Sequence, residues 1–153
     1  MVTGTDIANK AQSAMDSSHF VDVPGCCQMF ARQVAEAVGS EVGARMDEYR
    51  TGTAKATMEN FRGTEFDVWE RGDGDFALQE GDFLYKGSAT SGPAGHVGIV
   101  ANGRREGLDG SVVIVYENSS YHEVPGHQGN IEGAKGWRTL DKFGPYEMVV
   151  RLA

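Results

Sequence analysis

The sequence predicts an α+β fold in which helices come first and strands follow. Apolar residues recur at helical spacing before residue 40, whereas short apolar runs separated by Gly, Asn and Pro dominate from Phe76 onward. Gly supplies 21 of the 153 residues, about twice its usual share in globular proteins. The 15 Val outnumber the 5 Leu, and Val suits strands as Gly suits turns. This order of segments is typical of α+β domains and argues against an all-helical bundle.

Two N-terminal helices are predicted from apolar periodicity. The first covers residues 5–15, where Thr5 or Asp6 can cap its start. The second begins near Cys27 and stops at Gly39. Residues 41–75 are polar and without a clear period, with a further helix candidate at 53–61. The apolar stripe of the second helix consists of Cys27, Phe30, Ala31, Val34 and Val38.

Strands are predicted in the second half of the chain, where apolar runs are bounded by turn residues. Internal repeats, low-complexity tracts and interdomain linkers are absent from the sequence. We therefore expect residues 1–153 to form a single domain, which agrees with the length. Four strands lie near residues 83–86, 96–101, 111–117 and 146–152, and two weaker candidates lie near 121–124 and 137–140.

The charge of the chain excludes several classes of partner. Lys and Arg number 14 and Asp and Glu number 22, which gives a net charge of -8 and an isoelectric point of about 4.9. Such a chain is not attracted to nucleic-acid phosphates or to anionic lipid. No apolar stretch reaches the ~18–20 residues of a membrane span, and residues 1–16 lack the basic start and apolar run of a secretory signal. We expect no nucleic-acid partner, no membrane partner and no export by the secretory route.

The two cysteines, Cys26 and Cys27, are adjacent and need an explanation other than a disulfide. Neighbouring Cα atoms are about 3.8 Å apart, which is closer than an unstrained disulfide allows. A helix N-terminus supplies unpaired N–H groups and a partial positive charge, which lower the pKa of a thiol. Cys27 is placed for this effect and is the predicted nucleophile, whereas Cys26 is interpreted as structural or as a wall of the site. The alternative for Cys27 is a small buried apolar side chain.

A thiolate nucleophile needs a base, and His96 is the candidate. An imidazole can pair with the thiolate and protonate a leaving amine near neutral pH, and Gly95 leaves it room at the start of a strand. A third polar group should hold the ring in the useful tautomer, and the end of the next strand offers Glu117 and Asn118. Adjacent residues of a regular strand point to opposite faces. Only one of the two can face His96, and the sequence leaves open which one.

Metal chemistry is not favoured by the sequence. His122, Glu123 and His127 lack the spacing of a ligand set, and no second ligand cluster accompanies them. The stretch from Asp73 to Asp75 is too short for a calcium loop of the EF-hand type. The predicted cysteine chemistry therefore requires no metal and no organic cofactor.

The motifs resemble those of CHAP-type amidases and, more loosely, those of NlpC/P60 peptidases. The CHAP signature Gly-x-Cys-x-x-(aromatic)-Ala is similar to Gly25-Cys-Cys-Gln-Met-Phe-Ala31. The motifs lie within about residues 24–120 and keep the order that the family shows. Three later segments resemble the family's Gly-Asp strand, its histidine strand and the strand of its third polar residue, namely Leu78-Gln-Glu-Gly-Asp-Phe-Leu-Tyr85, Gly95-His-Val-Gly-Ile-Val100 and Val115-Tyr-Glu-Asn118.

This resemblance implies a papain-like fold, with helices packed on a small antiparallel sheet. It also implies hydrolysis of amide bonds in peptidoglycan, by an endopeptidase or an N-acetylmuramoyl-L-alanine amidase. Cys26 departs from the pattern because NlpC/P60 members usually have Asp there, and Gln28 stands where Ser or Thr usually follows the nucleophile. Residues 111–118 contain no histidine, which favours the CHAP-like form with Glu117 or Asn118 as the third residue.

The expected site is thus Cys27, His96 and either Glu117 or Asn118, and the expected substrate is a peptidoglycan peptide. The departures beside the nucleophile support a second hypothesis, an inactive papain-like module that binds wall peptides or a partner protein. A third is a cysteine hydrolase acting on a protein or a small amide, since motifs fix chemistry and not substrate.

The expected location follows from the missing secretory signal. A wall hydrolase of this kind is expected to stay in the cytoplasm until phage lysis releases it, a phage tail carries it or a secretion system injects it. The alternative is that the sequence is a catalytic domain cut from a longer chain. An injected amidase is expected to have a cognate immunity protein as its partner.

Overall fold

The computed structural model describes residues 1–22, 26–48, 53–87, 95–105, 112–118, 128–129 and 135–152. Helices come first along the chain and most strands follow, so the α+β class is confirmed. The helices are α1 (Gly4–Ala14), α2 (Cys27–Ala37), α3 (Glu41–Glu48), α4 (Ala54–Phe61) and α5 (Leu140–Phe143). The strands are β1 (Asp67–Glu70), β2 (Phe83–Lys86), β3 (His96–Arg105), β4 (Val112–Asn118), β5 (Gln128–Gly129), β6 (Lys135–Thr139) and β7 (Met148–Val150).

The strands of the described residues form one seven-stranded antiparallel sheet in the order β1-β7-β2-β3-β4-β6-β5. In the pairing of β2 with β3, Lys86 lies opposite His96. In the pairing of β4 with β6, Glu117 lies opposite Gly136. Because β3 and β4 are neighbours, the predicted histidine and the predicted acidic residue lie on adjacent central strands.

Alternation along the strands divides the core into two apolar layers. One face of the sheet packs against α1 to α4 through residues such as Tyr85, Ile99 and Tyr116. The opposite face packs Leu84 and its neighbours around Phe143 of α5. Gly98 makes room for that ring, because a Cβ at this position would lie 2.8 Å from a Phe143 carbon.

Side-chain caps start three of the helices, and Ser40 caps α3 by accepting the N–H of Val42 at 3.0 Å. Thr3 and Asp6 form a capping box on α1: Thr3 Oγ1 accepts the Asp6 N–H at 3.2 Å, and the Asp6 carboxylate accepts the Thr3 N–H at 2.9 Å. The cap predicted at Thr5 or Asp6 was therefore misplaced. Thr53 caps α4 by accepting the N–H of Ala56 at 3.1 Å. Among the described residues, no helix is long and apolar enough to cross a membrane.

Short elements account for most differences from the predicted elements. α3 and β1 lie in the polar stretch 41–75, where only 53–61 was a helix candidate, and eight-residue α3 buries only three residues. β6 begins at Lys135, before the predicted strand at 137–140, and α5 begins at Leu140, where that strand was expected to end. The strand candidate near 121–124 lies outside the described residues.

A buried ion pair braces the turn before β2. The Asp82 side chain is buried, and its carboxylate accepts from Arg151 Nε at 2.7 Å and from Arg151 Nη2 at 2.9 Å. The same carboxylate accepts the N–H of Gln79 at 2.8 Å. The Gly-Asp turn is thereby tied to the chain just beyond β7.

Candidate active site

Cys27 is the first residue of α2 and is half-buried. Cys26 holds the cap position without a side-chain hydrogen bond, and its carbonyl oxygen accepts the N–H of Phe30 at 2.9 Å. No side chain therefore caps the start of α2, unlike α1, α3 and α4. Phe30 and Val34 bury the helix in the larger apolar layer, which fixes the position of the thiol relative to the sheet.

Gln28 links the start of α2 to β2. Its side chain is buried, and Oε1 accepts the hydroxyl proton of Tyr85 at 2.9 Å. Tyr85 is also fully buried, and burial raises the pKa of its phenol, so the hydroxyl stays protonated and donates. The residue that departs from the family pattern at position 28 thus has a structural role in this fold.

His96 is the first residue of β3 and is 8% exposed. Gly95 precedes it with φ +72°, and a Cβ there would lie 2.4 Å from the carbonyl oxygen of Lys86, so this approach requires glycine. Cys27 lies close enough to the ring to act on its protonation, and Nε2 of the ring lies 2.6 Å from Oε1 of Glu117. Because Nε2 faces the carboxylate, Nδ1 is the ring nitrogen left for the thiol.

The pKa of His96 is raised above its ordinary value. Burial alone lowers this pKa, but the hydrogen bonds to Cys27 and Glu117 and the negative charges of both groups raise it by more. The net direction favours the imidazolium, which is the form that pairs with a thiolate.

Glu117, and not Asn118, faces His96. Glu117 is fully buried and lies against the histidine ring. Asn118 points to the other face of β4, where its Nδ2 donates to the carbonyl oxygen of Val21 at 3.1 Å. Of the two candidates that the sequence left open, the structure brings only Glu117 to the ring. Asn118 instead ties β4 to the segment that leads to Cys27.

Two cationic side chains complete the buried cluster, and neither was predicted from the sequence. Arg138 of β6 is 6% exposed, and its Nε lies 2.7 Å from Oε2 of Glu117. Lys86 of β2 is equally buried and donates to the carbonyl oxygen of Phe143. Burial, together with the charge of Arg138, lowers the pKa of Lys86 to about 8. Charged residues within strands were visible in the sequence, but the strand order that gathers them was not.

The ring of Phe143 lies beneath the charged cluster. Its centroid is 5.6 Å from that of His96, 4.2 Å from Nζ of Lys86 and 5.0 Å from Cζ of Arg138. The face of an aromatic ring attracts cations. Helix α5 therefore supplies a surface that favours the positively charged members of the cluster.

Other residues weighed from the sequence stand apart from this site or lie outside the described residues. Asp73 accepts the N–H of Glu70 at 2.9 Å, which is a turn contact. His122, Glu123 and His127 lie outside the described residues. Within the part of the chain that the structure describes, no group of three or more His, Cys, Asp and Glu is placed to hold a metal ion.

Comparisons of the chain with protein-family models, curated proteins and solved structures found no match. A thiol beside an imidazole that is held by a buried carboxylate is an arrangement that activates a cysteine for nucleophilic attack.

Proposed function

We propose that the chain is a cysteine hydrolase that cleaves amide bonds in peptidoglycan. The observation that carries this proposal is that Cys27 and Glu117 both act on His96: Glu117 lies within hydrogen-bond distance of Nε2, and the thiol interacts with the same ring. The substrate class rests on the resemblance to CHAP-type amidases. The order of cysteine helix, Gly-Asp strand, histidine strand and acidic strand supports a papain-like fold as part of the same proposal.

In the proposed acylation step, Sγ of Cys27 attacks the carbonyl carbon of the scissile amide. Backbone N–H groups at the start of α2, including that of Cys27, stabilise the negative charge that develops on the carbonyl oxygen. Nδ1 of His96 carries the proton of the former thiol and donates it to the amide nitrogen. The C–N bond breaks, the amine leaves, and a thioester remains on Cys27.

In the deacylation step, water attacks the thioester carbonyl and His96 accepts its proton. The C–S bond breaks, which releases the carboxyl product and restores the thiolate. Glu117 holds Nε2 throughout, so that Nδ1 stays directed at the reacting atoms.

Delivery and partner belong to the same proposal. The net charge of -8 gives no attraction to an anionic cell wall. In this proposal the protein is delivered to the wall by phage lysis, a phage tail or a secretion system, and attraction by charge has no part. In the injected case, a cognate immunity protein that covers the site is the expected partner.

Digestion of purified peptidoglycan tests the proposed function. Wild-type protein should release soluble muropeptides, and their masses distinguish a free stem peptide from a split cross-bridge. Cys27→Ala should lower the rate at least about 1,000-fold, because the nucleophile is lost. The matched control Cys26→Ala should keep the rate within about tenfold of wild type, because that thiol has no part in the proposed steps.

Other outcomes of the digestion would favour a different nucleophile, a different function or a different substrate. Activity that survives Cys27→Ala and disappears in Cys26→Ala contradicts the choice of nucleophile. Folded wild-type protein that releases nothing yet sediments with insoluble walls favours the inactive binding module. Cleavage of a protein or a small amide, with no action on walls, would retain the chemistry and replace the substrate.

A further inference from the structure

Glu117 lies between two cationic side chains that approach different oxygen atoms of its carboxylate. Oε1 is 2.6 Å from Nε2 of His96, and Oε2 is 2.7 Å from Nε of Arg138. The three residues come from adjacent strands β3, β4 and β6. Arg138 pairs with Val115 in the β4–β6 register, and it therefore shares a face of the sheet with Glu117.

Arg138 is held in place by contacts that do not involve the proposed active site. Its Nη1 donates to the carbonyl oxygen of Lys142 at 3.1 Å, and its guanidinium lies over the ring of Phe143. The Nε–H bond is not aligned on the oxygen atoms of Glu117. The contact between the two side chains is therefore chiefly one of opposite charges.

A fully buried carboxyl group needs a permanent cation to stay ionised. Burial disfavours the anion, so an isolated buried Glu takes up a proton. His96 cannot supply that permanent charge, since its own proton moves to the leaving amine during the proposed reaction. A guanidinium keeps its charge at every working pH.

We propose that Arg138 is a positioning residue that keeps Glu117 ionised and turned toward His96. This inference rests on the proposed roles of Cys27, His96 and Glu117. It assigns to β6 a function in the site that none of the family motifs in the sequence indicates.

Lys86 is the other cation that faces this cluster, and its contacts give it a different role. Its Nζ donates a hydrogen bond to the carbonyl oxygen of Phe143, and burial lowers its pKa to about 8. Lys86 thus loses its charge in mildly alkaline solution, whereas Arg138 does not. The charged groups to be considered together are Cys27 from α2, Lys86 from β2, His96 from β3, Glu117 from β4 and Arg138 from β6.

The pH dependence of alkylation by iodoacetamide tests this inference without any substrate. Without Arg138 the buried Glu117 carboxyl takes up a proton, and the neutral group no longer favours the His96 imidazolium that pairs with the thiolate. Arg138→Gln should therefore slow alkylation of Cys27 about tenfold at pH 6, which corresponds to a shift of about one pH unit in the appearance of the thiolate. Arg138→Lys keeps the charge and should stay within about threefold of wild type.

Arg62→Gln is the matched control. It removes an arginine whose Nε lies 2.6 Å from a carboxylate oxygen of Glu70, on the exposed side of β1. In this variant Cys27 should be alkylated at the wild-type rate.

Titration of the Glu117 carboxyl by NMR, with ¹³C-labelled glutamate, should show a midpoint raised by at least about one pH unit in Arg138→Gln.

Two results separate this inference from the proposed function. An unchanged Glu117 midpoint, with alkylation within threefold of wild type in Arg138→Gln, overturns the role of Arg138. If Cys27 of the wild-type protein alkylates no faster than an unperturbed thiol, the proposed function is overturned instead. The Glu117 titration still tests the role of Arg138 in that case.

A fallback comparison applies if Arg138→Gln does not fold. Glu117→Gln is then compared with the double variant Glu117→Gln/Arg138→Gln, which removes both buried charges together. The two should alkylate alike, because Arg138 acts through Glu117. A further tenfold loss in the double variant would contradict the inference.

Discussion

Glu117 and Asn118 are adjacent in the sequence but contact different parts of the molecule. The alternation of a strand predicts that only one of them reaches His96. The choice could not be predicted, because β4 is covered on both faces and its preceding residues are apolar on each side. Cys27 and His96 were predictable for the opposite reason, since a helix start and a glycine before a strand are local signals.

Substituting each of these neighbours should separate their roles. Glu117→Gln removes the negative charge 2.6 Å from Nε2 and should lower the pKa of His96 by about one unit or more. Asn118→Ala removes only the bond to the Val21 carbonyl oxygen and should leave the pKa of His96 unchanged. An NMR titration of the His96 ring measures both, and equal effects of the two variants would contradict the assignment.

The raised pKa of His96 also predicts how stability depends on pH. The pKa of His96 is higher in the folded protein than its ordinary value near 6.5, so its protonation stabilises the fold. That contribution is complete below about pH 6.5 and is lost as the pH rises through the folded-state pKa. The stability gap between wild type and Glu117→Gln, measured by urea unfolding, should therefore be wider at pH 6 than at pH 9.

At the scale of elements, long apolar segments were predictable and short ones were not. The spacing of apolar residues gave α1 and α2 nearly to the residue, and the bounded run at 83–86 coincides with β2. Four-residue α5 and two-residue β5 are too short to show a period. The absence of α5 from the prediction mattered most for the site, because its Phe143 lies under His96, Lys86 and Arg138.

Two arginine–carboxylate pairs of nearly equal length should differ in their contribution to stability. Arg151 Nε lies 2.7 Å from the buried carboxylate of Asp82, whereas Arg62 Nε lies 2.6 Å from a carboxylate oxygen of Glu70 at the surface. Arg151→Ala leaves Asp82 buried without its cation and should cost about 3 kcal/mol of folding free energy. Arg62→Ala should cost less than about 1 kcal/mol, because solvent screens the exposed pair. Urea unfolding of both variants measures the difference, and equal losses would contradict a bracing role for Asp82.

At the scale of the whole molecule, strand order is what local patterns leave undetermined. The last strand, β7, lies between β1 and β2 in the sheet, and β6 lies beside β4 although residues 119–134 separate the two in the sequence. Such pairings join distant segments and leave no trace in short-range periodicity. The place of Arg138 in the site could not be predicted for this reason, because its strand was among the weaker candidates and the neighbour of that strand in the sheet was unknown.

The proposed function requires Cys27, and not its neighbour Cys26, to be the reactive thiol. Two single-cysteine variants, Cys26→Ala and Cys27→Ala, allow each thiol to be alkylated by iodoacetamide alone, and the rates at pH 6 compare them directly. Iodoacetamide alkylates the thiolate, and in the proposed site the imidazole of His96 takes up the proton of Cys27. We predict that Cys27 in Cys26→Ala reacts more than about tenfold faster than Cys26 in Cys27→Ala. Equal rates, or a faster Cys26, would contradict the account.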